Sequence, residues 1–361
     1  MSEPRPIAAK ARPIPMTPLP PEYGALDGRK ILVTGAAGFI GGALFRRLVR
    51  YGLDVTATVL FPHEAEALRA EGHRAEVLDL GGDEPWDDLV ADADIVFHVA
   101  AVFQEVELDA RMYDRVNHLG ALKLARTAGR VGVSRFVHCS TVGVHGSVQQ
   151  IPATEDTPFN PMDLYHRTKL AGELAILDYA RSPTNGKMTV CANRPAMVYG
   201  PGDARMLKLF RTILSRRFRM IGSGRTLAHL GYIEDQVDSF LLCAVARSEA
   251  VHGHAFNIAS GEPLTLNELV ALIARHGGVP VARLHVPVAP VWLAALACEL
   301  ACKPFGIKPP LFRRRVGFFT HHRAFDLTKA RERLGYQSKW SHPEGIAATV
   351  DWYRANGYLR E

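Results

Sequence analysis

The feature that most constrains the fold is a glycine-rich turn between an apolar run and a helical pattern. Lys30–Thr34 is a short apolar run, typical of a strand buried on both faces of a parallel sheet. The next seven residues read GAAGFIG, and apolar residues then recur at helical spacing. The glycines Gly35, Gly38 and Gly41 permit a tight turn, close approach of a pyrophosphate and close packing of helix on strand. The segment therefore predicts a βαβ unit that binds a dinucleotide at a helix N-terminus.

Strands and helices alternate through the first two hundred residues. The pattern predicts strands at 30–34, 54–60, 74–78, 94–99 and 135–139, and helices at 64–71, 112–129 and 168–179. This alternation indicates right-handed βαβ crossovers, and so a Rossmann-type α/β fold with a doubly wound parallel sheet.

Three parts are predicted along the chain. Residues 1–27 are rich in Pro and lack the apolar centre of a signal peptide, so we expect a flexible extension. Residues 28–200 should form the dinucleotide-binding domain, which 232–262 rejoins through an apolar run at 254–259. Residues 201–361 look mainly helical, over 201–230 and 263–361, and should form a smaller substrate-binding lobe.

Composition limits the possible binding partners and the cellular compartment of the protein. The formal net charge of +6 is mild for 361 residues, and the basic clusters match no known nucleic-acid-binding motif, so we expect no nucleic-acid partner. The five cysteines are scattered, and Cys298 and Cys302 have no further ligands nearby, so we expect no metal site. A reduced, cytoplasmic protein is the simplest interpretation.

Tyr165 and Lys169 lie four residues apart in a helical pattern, so both side chains can face the same side. A free phenol has a pKa of about 10 and is a poor base near neutrality. A neighbouring ammonium group, together with an oxidised nicotinamide, would stabilise the phenolate and lower that pKa. The pair therefore predicts a site that moves a proton at a substrate oxygen.

Several further motifs, in the same order along the chain, resemble those of the extended short-chain dehydrogenases/reductases. They are the loop TGAAGFIG at 34–41, Asp79-Leu80, DIVFHVAA at 94–101, NHLG at 117–120, RPAMVYGPGD at 194–203 and WYRANGY at 352–358. The resemblance spans roughly residues 30–359 and implies NAD or NADP as the cofactor.

The resemblance also implies the roles of individual residues. Thr141 falls at the family's hydroxyl position and joins Tyr165 and Lys169 as the predicted catalytic residues. The predicted cofactor-binding residues are Gly35, Gly38, Phe39, Ile40, Gly41, Asp79, Leu80, Val99, Ala100, Ala101, Asn117, Ser140, Tyr165, Lys169, Pro195 and Val198. Family members often dimerise through the helix that carries Tyr and Lys, which implies a homodimer here.

The choice between NAD and NADP stays open. An Asp or Glu at the end of the second strand usually holds the ribose hydroxyls of NAD, and an Arg nearby favours NADP. This chain has Val59 and Leu60 at that point, with His63 the nearest polar residue.

Two substrate classes compete. Sugar-nucleotide members of the family typically carry an Arg, which pairs with the diphosphate, at the position that aligns with Ala228. Its loss argues against a diphosphate substrate unless Arg219 or Arg225 substitutes. The apolar segment 286–302 resembles that of 3β-hydroxysteroid dehydrogenase-like members, and could be a buried helix, a pocket lining or a peripheral membrane contact.

The sequence therefore predicts oxidoreduction between a secondary alcohol and a ketone on a bulky apolar small molecule, sterol-like or lipid. A sugar-nucleotide epimerase, dehydratase or reductase is the alternative. A dinucleotide-binding redox sensor without catalysis is a remote one, since such proteins tend to lose the catalytic Tyr or Lys.

Overall fold

A parallel seven-stranded sheet forms the centre of the molecule, in the order β11-β6-β5-β4-β1-β2-β3. In this computed structural model, residues 14–103, 109–281, 284–305, 307, 309–311 and 313–359 are described. The strands are β1 Lys30–Thr34, β2 Asp54–Val59, β3 Arg74–Val77, β4 Ile95–His98, β5 Arg135–Cys139, β6 Thr189–Pro195, β7 Met197–Tyr199, β8 Met220–Ile221, β9 Leu227–Ala228, β10 Leu230–Tyr232, β11 His254–Ile258, β12 Leu264–Thr265 and β13 His285–Val286.

Helices cover both faces of the sheet and make up much of the rest of the chain. They are α1 Phe39–Arg50, α2 Pro62–Ala70, α3 Asp87–Ala91, α4 Ala110–Asp114, α5 Ala121–Val131, α6 Leu164–Arg181, α7 Leu207–Leu214, α8 Ile233–Val245, α9 Ser248–Val251, α10 Leu266–His276, α11 Val288–Cys302, α12 Arg313–Thr320, α13 Thr328–Leu334 and α14 His342–Ala355. A π-helical segment, Arg115–Gly120, joins α4 to α5.

Strands β1 to β5 lie within a residue or two of the positions that the apolar runs predict. Strand β6 was missed, because its sequence TVCANRP mixes apolar and polar residues. All seven of its residues are nevertheless buried, and hydrogen bonds satisfy the polar ones: Asn193 contacts Ser239 and Gln236, and Arg194 binds Glu173. A buried strand can therefore carry polar side chains when each has a partner.

The stretch 201–230 was expected to be mainly helical, and this was wrong. Only α7 is helical there, and short strands follow. Each short strand pairs with a distant segment: β8 with β13, β9 with β12, and β10 with β7. Such long-range pairing leaves little trace in local periodicity.

Three large apolar clusters form most of the core of the described residues. One lies on the face of the sheet that α1 and α8 cover, and includes Phe45 and Phe240. Another lies on the opposite face, under α5 and α6, and includes Ile176. The third joins α7, α10 and α14 beyond the sheet, around Phe210 and Tyr353. The helices of the third cluster lie within residues 201–361, the stretch predicted as the substrate-binding lobe, and that lobe's role stays a prediction.

The N-terminal segment differs from the predicted flexible extension over the part that the structure describes. Pro21–Leu26 forms a 3-10 turn, and Tyr23 and Leu26 are buried in the core on the α1 side of the sheet. The apolar side chains explain the difference, because burying them stabilises the segment against the sheet. Residues 1–13 lie outside the described residues.

Helix α11 lies where the segment 286–302 was predicted, but it is not a buried helix. Ala295 is its one buried residue, whereas Trp292, Leu293 and Leu300 are exposed. The interpretation of this segment as an ordinary core helix was therefore wrong for the chain as described.

Candidate active site

The site begins where β1 and β4 end side by side. The Thr34 hydroxyl oxygen accepts hydrogen bonds from the backbone N–H groups of Val99 and Ala100, both at 3.0 Å. It also lies 2.9 Å from His98 Nδ1. These contacts hold the two strand ends together, which places the predicted cofactor-binding segment 99–101 against the glycine loop.

The glycine loop is packed too closely to accept side chains. Gly35 has a φ of +71°, and a Cβ there would lie 2.8 Å from the backbone of Ala100. A Cβ on Gly41 would lie 2.2 Å from the carbonyl oxygen of Gly35, and one on Gly38 would lie 3.1 Å from it. Helix α1 starts after Gly38 with no side-chain cap, so its first N–H groups point to the space beside the loop. The residues present therefore fit a dinucleotide pyrophosphate.

The other predicted cofactor residues surround the same edge of the sheet. Asp79 is exposed, and its Oδ1 accepts from Gly81 N at 2.8 Å. Leu80 is buried, and its carbonyl oxygen would lie 2.2 Å from a Cβ on Gly120. This close contact ties the exit of β3 to the π-helical segment that carries Asn117.

Asn117 links the exit of β4 to helix α6. Its Oδ1 accepts from Val102 N at 2.8 Å, and its Nδ2 donates to the Val102 carbonyl at 3.0 Å and to Thr168 Oγ1 at 3.1 Å. Gly172 on α6 permits this approach, since a Cβ there would lie 2.1 Å from the Asn117 carbonyl oxygen. Asn117 thus positions α6 and its neighbouring loop rather than facing open space.

The predicted catalytic pair lies in the first two turns of α6. Asp163 caps the helix by accepting from His166 N at 2.8 Å. Tyr165 follows in the first turn, and Lys169 is buried one turn later. Burial lowers the pKa of Lys169, whereas Cys139 and Glu173 raise it.

Thr141 begins the 3-10 turn Val142–His145 at the end of β5. Its Oγ1 accepts from Gly143 N at 3.0 Å. Gly143 packs against α6, because a Cβ there would lie 2.2 Å from the His166 ring. The neighbouring Ser140 is buried and its hydroxyl has no partner among the described residues. The two hydroxyls that the sequence could confuse therefore differ in surroundings, with Thr141 the more exposed.

Pro195 is the last residue of β6, and Val198 lies in β7, which follows it closely. Pro195 pairs with Ile258 in the sheet, and the Val198 carbonyl accepts from Arg205 at 2.9 Å. The structure thus gathers the carboxyl ends of β1, β4, β5 and β6 with the start of α6 along one edge, as Rossmann-type folds do around a ligand.

Comparison with known proteins identifies the family. Residues 31–259 match the model of the NAD dependent epimerase/dehydratase family. The chain belongs to that family. It is 30% identical to "3beta-hydroxysteroid-dehydrogenase/decarboxylase isoform 1" of Arabidopsis thaliana over 356 residues, 90% of this chain and 79% of the relative. It is 31% identical to "UDP-glucose 4-epimerase" of Mycolicibacterium smegmatis over 346 residues, 90% of this chain and 98% of the relative.

A solved structure of the same fold carries a ligand. MoeE5 in complex with UDP-glucose and NAD aligns with a TM-score of 0.69 at 25% identity, over 91% of this chain and 99% of that one. The predictions of a Rossmann-type α/β fold, an extended short-chain dehydrogenase/reductase and an NAD(P) cofactor are confirmed. The protein is an NAD(P)-dependent oxidoreductase of the epimerase/dehydratase family, and its substrate is a separate question.

Sequence reasoning missed two residues at this epimerase/dehydratase-family site. Phe103 contacts the Tyr165 ring edge-on, with ring centroids 4.7 Å apart. The Arg205 guanidinium lies 5.7 Å from the Phe103 ring centroid and 5.1 Å from that of Phe39 in the glycine loop. A continuous set of contacts therefore joins the glycine loop to Tyr165. The run PGDAR at 201–205 was the available signal, since a basic residue lies two positions after the end of the matched motif.

Arg205 also affects the electrostatics of Tyr165. Burial raises the pKa of the Tyr165 phenol above its ordinary value, Cys139 adds to this, and the positive charge of Arg205 lowers it. Arg205 is held by Asp203, whose buried carboxylate accepts from its Nε at 2.8 Å. The site thus has a fixed cation that acts on the predicted proton donor.

Two neighbouring histidines, with rings tilted at 33° to each other, lie on adjacent strands of the central sheet in this member of the family. His98 and His138 are paired on adjacent strands, are fully buried, and have ring centroids 5.2 Å apart. Burial lowers the pKa of His98 to about 3 and that of His138 well below its ordinary value, and the charge of Lys169 adds to both shifts. Both histidines are therefore neutral at pH 7 and belong to the core.

Proposed function

We propose that the protein interconverts a secondary alcohol and a ketone on a bulky apolar substrate, sterol-like or lipid, with NAD or NADP as the cofactor. Ala228 is the observation that carries the substrate class. It is 2% exposed in β9 and supplies a methyl group where sugar-nucleotide members place a diphosphate-binding Arg. A methyl group cannot replace a bidentate guanidinium, so a diphosphate would lose a major partner here.

The proposed reaction uses three side chains of this chain. The bound dinucleotide gives or takes the hydride. Tyr165 donates the proton to the substrate oxygen in reduction and removes it in oxidation, while Thr141 donates a hydrogen bond to the same oxygen. Lys169 stabilises the phenolate form of Tyr165 when the cofactor excludes water from the site.

The surroundings of Tyr165 support an apolar substrate. The ring of Phe103 contacts that of Tyr165 edge-on and gives the reacting phenol an apolar neighbour. The two arginines that could substitute for the one missing at Ala228 also support an apolar substrate. Arg219 is exposed and donates to the carbonyls of Arg216 and Phe218, and Arg225 is exposed on a turn. The named activity of the Arabidopsis relative, a 3β-hydroxysteroid dehydrogenase/decarboxylase, is of this class.

One observation favours the alternative, a sugar-nucleotide epimerase, dehydratase or reductase. Arg323 forms a parallel bridge with Ala228, and its backbone N–H donates to the Leu227 carbonyl at 2.8 Å. An arginine on the neighbouring segment therefore lies beside the position that lacks one. Under this alternative Arg323 would pair with the diphosphate, and the named activity of the UDP-glucose 4-epimerase relative is of this class.

We also propose that the protein is a cytoplasmic homodimer, with α5 and α6 at the interface between the two copies. Two large apolar side chains are exposed in this region, Leu119 in the π-helical segment just before α5 and Leu174 on α6. Burying such side chains against a second copy is favourable, and a two-fold axis would bring α6 against its symmetry mate. Light scattering of the wild type and of Leu174→Gln measures this directly.

The test is a ligand panel with two readouts. We would follow NADH and NADPH binding by fluorescence, then measure cofactor turnover with sterol ketones, long-chain ketones and UDP-sugars. Turnover with an apolar ketone, unchanged in Arg323→Met, supports the proposal. Turnover only with a UDP-sugar, lost in Arg323→Met, establishes the alternative, and cofactor binding without any turnover indicates a redox sensor.

A further inference from the structure

Exposed apolar side chains are concentrated on one segment, around helix α11. Leu293 is 59% exposed and Phe305 is 76% exposed, whereas in most of the chain such side chains are buried. We define the α11 surface by its exposed large apolar residues, which are Leu284, Trp292, Leu293, Leu300, Phe305 and Ile307. Among the described residues, Val288–Phe305 is the one helical stretch long and apolar enough to cross a membrane, and only 6% of it is buried. A concentration of exposed apolar side chains of this kind marks an interaction site.

The charges around the α11 surface are almost all positive. Glu299 is the one acidic residue between 281 and 307, and it is neutralised by Arg313, whose backbone N–H and Nε donate to it at 2.7 and 2.8 Å. Lys303 follows directly after α11 and is exposed. The Arg313 guanidinium lies 5.7 Å from the Trp292 ring centroid, so a basic residue borders the apolar helix.

A second basic cluster lies at the other end of the α11 surface. Strand β8 pairs with β13 in the register Met220 to His285, which brings Arg219 next to Leu284. Arg216, Arg217 and Arg219 are all exposed. Basic residues therefore flank the apolar residues on both sides, as in proteins that lie on anionic bilayers.

The connections at the two ends of α11 limit the orientations that the helix can adopt in a bilayer. Its N-terminal end is fixed by β13, which pairs with β8, and its C-terminal end is fixed to α12 by the Glu299–Arg313 pair. Both ends are therefore attached to the rest of the fold, which favours a position in the plane of the interface over one that spans the bilayer.

We propose that the α11 surface docks the protein on the surface of an anionic phospholipid bilayer, with α11 parallel to the membrane plane. A second copy of the chain is a poorer occupant. A two-fold interface would place the same basic flanks opposite one another, and like charges there repel. An anionic bilayer instead buries the apolar residues and attracts both basic clusters through its negatively charged headgroups.

Vesicle co-sedimentation of the full chain, without cofactor or substrate, tests the docking. Vesicles of phosphatidylcholine alone are compared with vesicles that contain about a third phosphatidylglycerol. We expect binding to the anionic vesicles, weakened at high salt because salt screens the basic residues. The variant Leu293→Gln/Leu300→Gln/Phe305→Gln should bind about tenfold or more weakly, and Lys303→Gln/Arg219→Gln should lose the preference for anionic lipid.

The control is Val77→Gln, which removes an exposed apolar side chain from the edge strand β3 and should bind like the wild type. Thermal unfolding of each variant verifies that the fold is retained. Wild-type protein that stays in the supernatant with both vesicles, or a triple variant that binds as tightly as wild type, would overturn the proposal. A wild type that forms a larger oligomer than the triple variant would overturn it too, because a second copy would then cover α11. None of these outcomes depends on the proposed substrate.

Discussion

The carboxylate of Glu173 accepts three hydrogen bonds from the Arg194 guanidinium, at 2.5, 2.9 and 3.2 Å, where both side chains are buried. Glu173 lies on α6 one turn after Lys169, and Arg194 lies on β6. This pair therefore fixes the helix that carries the predicted catalytic residues to the central sheet.

Breaking the Glu173–Arg194 pair should be costly. Glu173→Gln leaves the Arg194 charge buried without a counter-ion, so we expect the free energy of unfolding to fall by about 3–5 kcal/mol. Chemical denaturation measures it. The matched control is Glu76→Gln, the same change in the exposed Arg69–Glu76 pair, which should cost less than about 1 kcal/mol. Equal losses in the two variants would contradict the anchoring role.

Tyr165→Phe should abolish turnover and leave cofactor binding nearly unchanged. The substitution removes the hydroxyl that moves the proton but keeps the ring that contacts Phe103. We expect turnover to fall by about 10²–10⁴-fold, the typical contribution of general acid–base catalysis. Steady-state kinetics and NADH fluorescence separate the two effects, and near-normal turnover would refute the assignment of Tyr165.

Arg205→Met should change the pH dependence of alcohol oxidation. Burial raises the pKa of Tyr165 and Arg205 opposes it, so removing this charge raises that pKa further. The rise of the rate with pH should then move to higher pH, because each pKa unit lowers the phenolate fraction by about tenfold. Arg205→Lys keeps the charge and is the control. A profile that is the same in both variants and the wild type would show that Arg205 acts only through packing.

Gly41→Ala should weaken cofactor binding and destabilise the fold. The added Cβ would lie 2.2 Å from the Gly35 carbonyl oxygen, so either helix α1 or the loop must move. We expect a loss of about 1–3 kcal/mol in unfolding free energy from overpacking, and weaker NADH binding in a fluorescence titration. Gly24→Ala is the control, since nothing lies within 4 Å of a Cβ there. Wild-type affinity in Gly41→Ala would contradict the packing argument.

His138→Leu should reduce acid destabilisation. Burial lowers the folded-state pKa of His138, and those of His98 and His145 fall to about 3 and about 4. Below pH 6.5 the unfolded chain therefore binds protons that the folded chain does not, and stability falls with falling pH down to about 4. The imidazole nitrogens of His138 have no partners among the described residues, so replacing it removes no hydrogen bond.

Denaturation at pH 7.5 and at pH 5 measures this effect. The wild type should lose more stability between the two than His138→Leu, by up to about 1.4 kcal/mol per pH unit below the ordinary histidine pKa. His63→Leu removes an exposed histidine and is the control. An equal loss in His138→Leu and the wild type would show that His138 does not contribute.

Local patterns in the sequence were sufficient for the dinucleotide loop and the strands around it. Glycine spacing, buried apolar runs and the Tyr–Lys spacing each act within a few residues, so a linear sequence displays them directly. The family, the fold class and the NAD(P) cofactor followed from these motifs and are confirmed.

Features that depend on contacts between distant segments were determined only by the tertiary structure. Strand β6 carries polar residues whose partners lie on distant segments, and Arg205 contacts the ring of Phe103, about a hundred residues away in the chain. Helix α11 is exposed although its sequence resembles a core helix. Apolar periodicity records that a side chain prefers to leave water, but not which surface will cover it. That depends on segments far apart in the chain, whose pairing leaves no local trace.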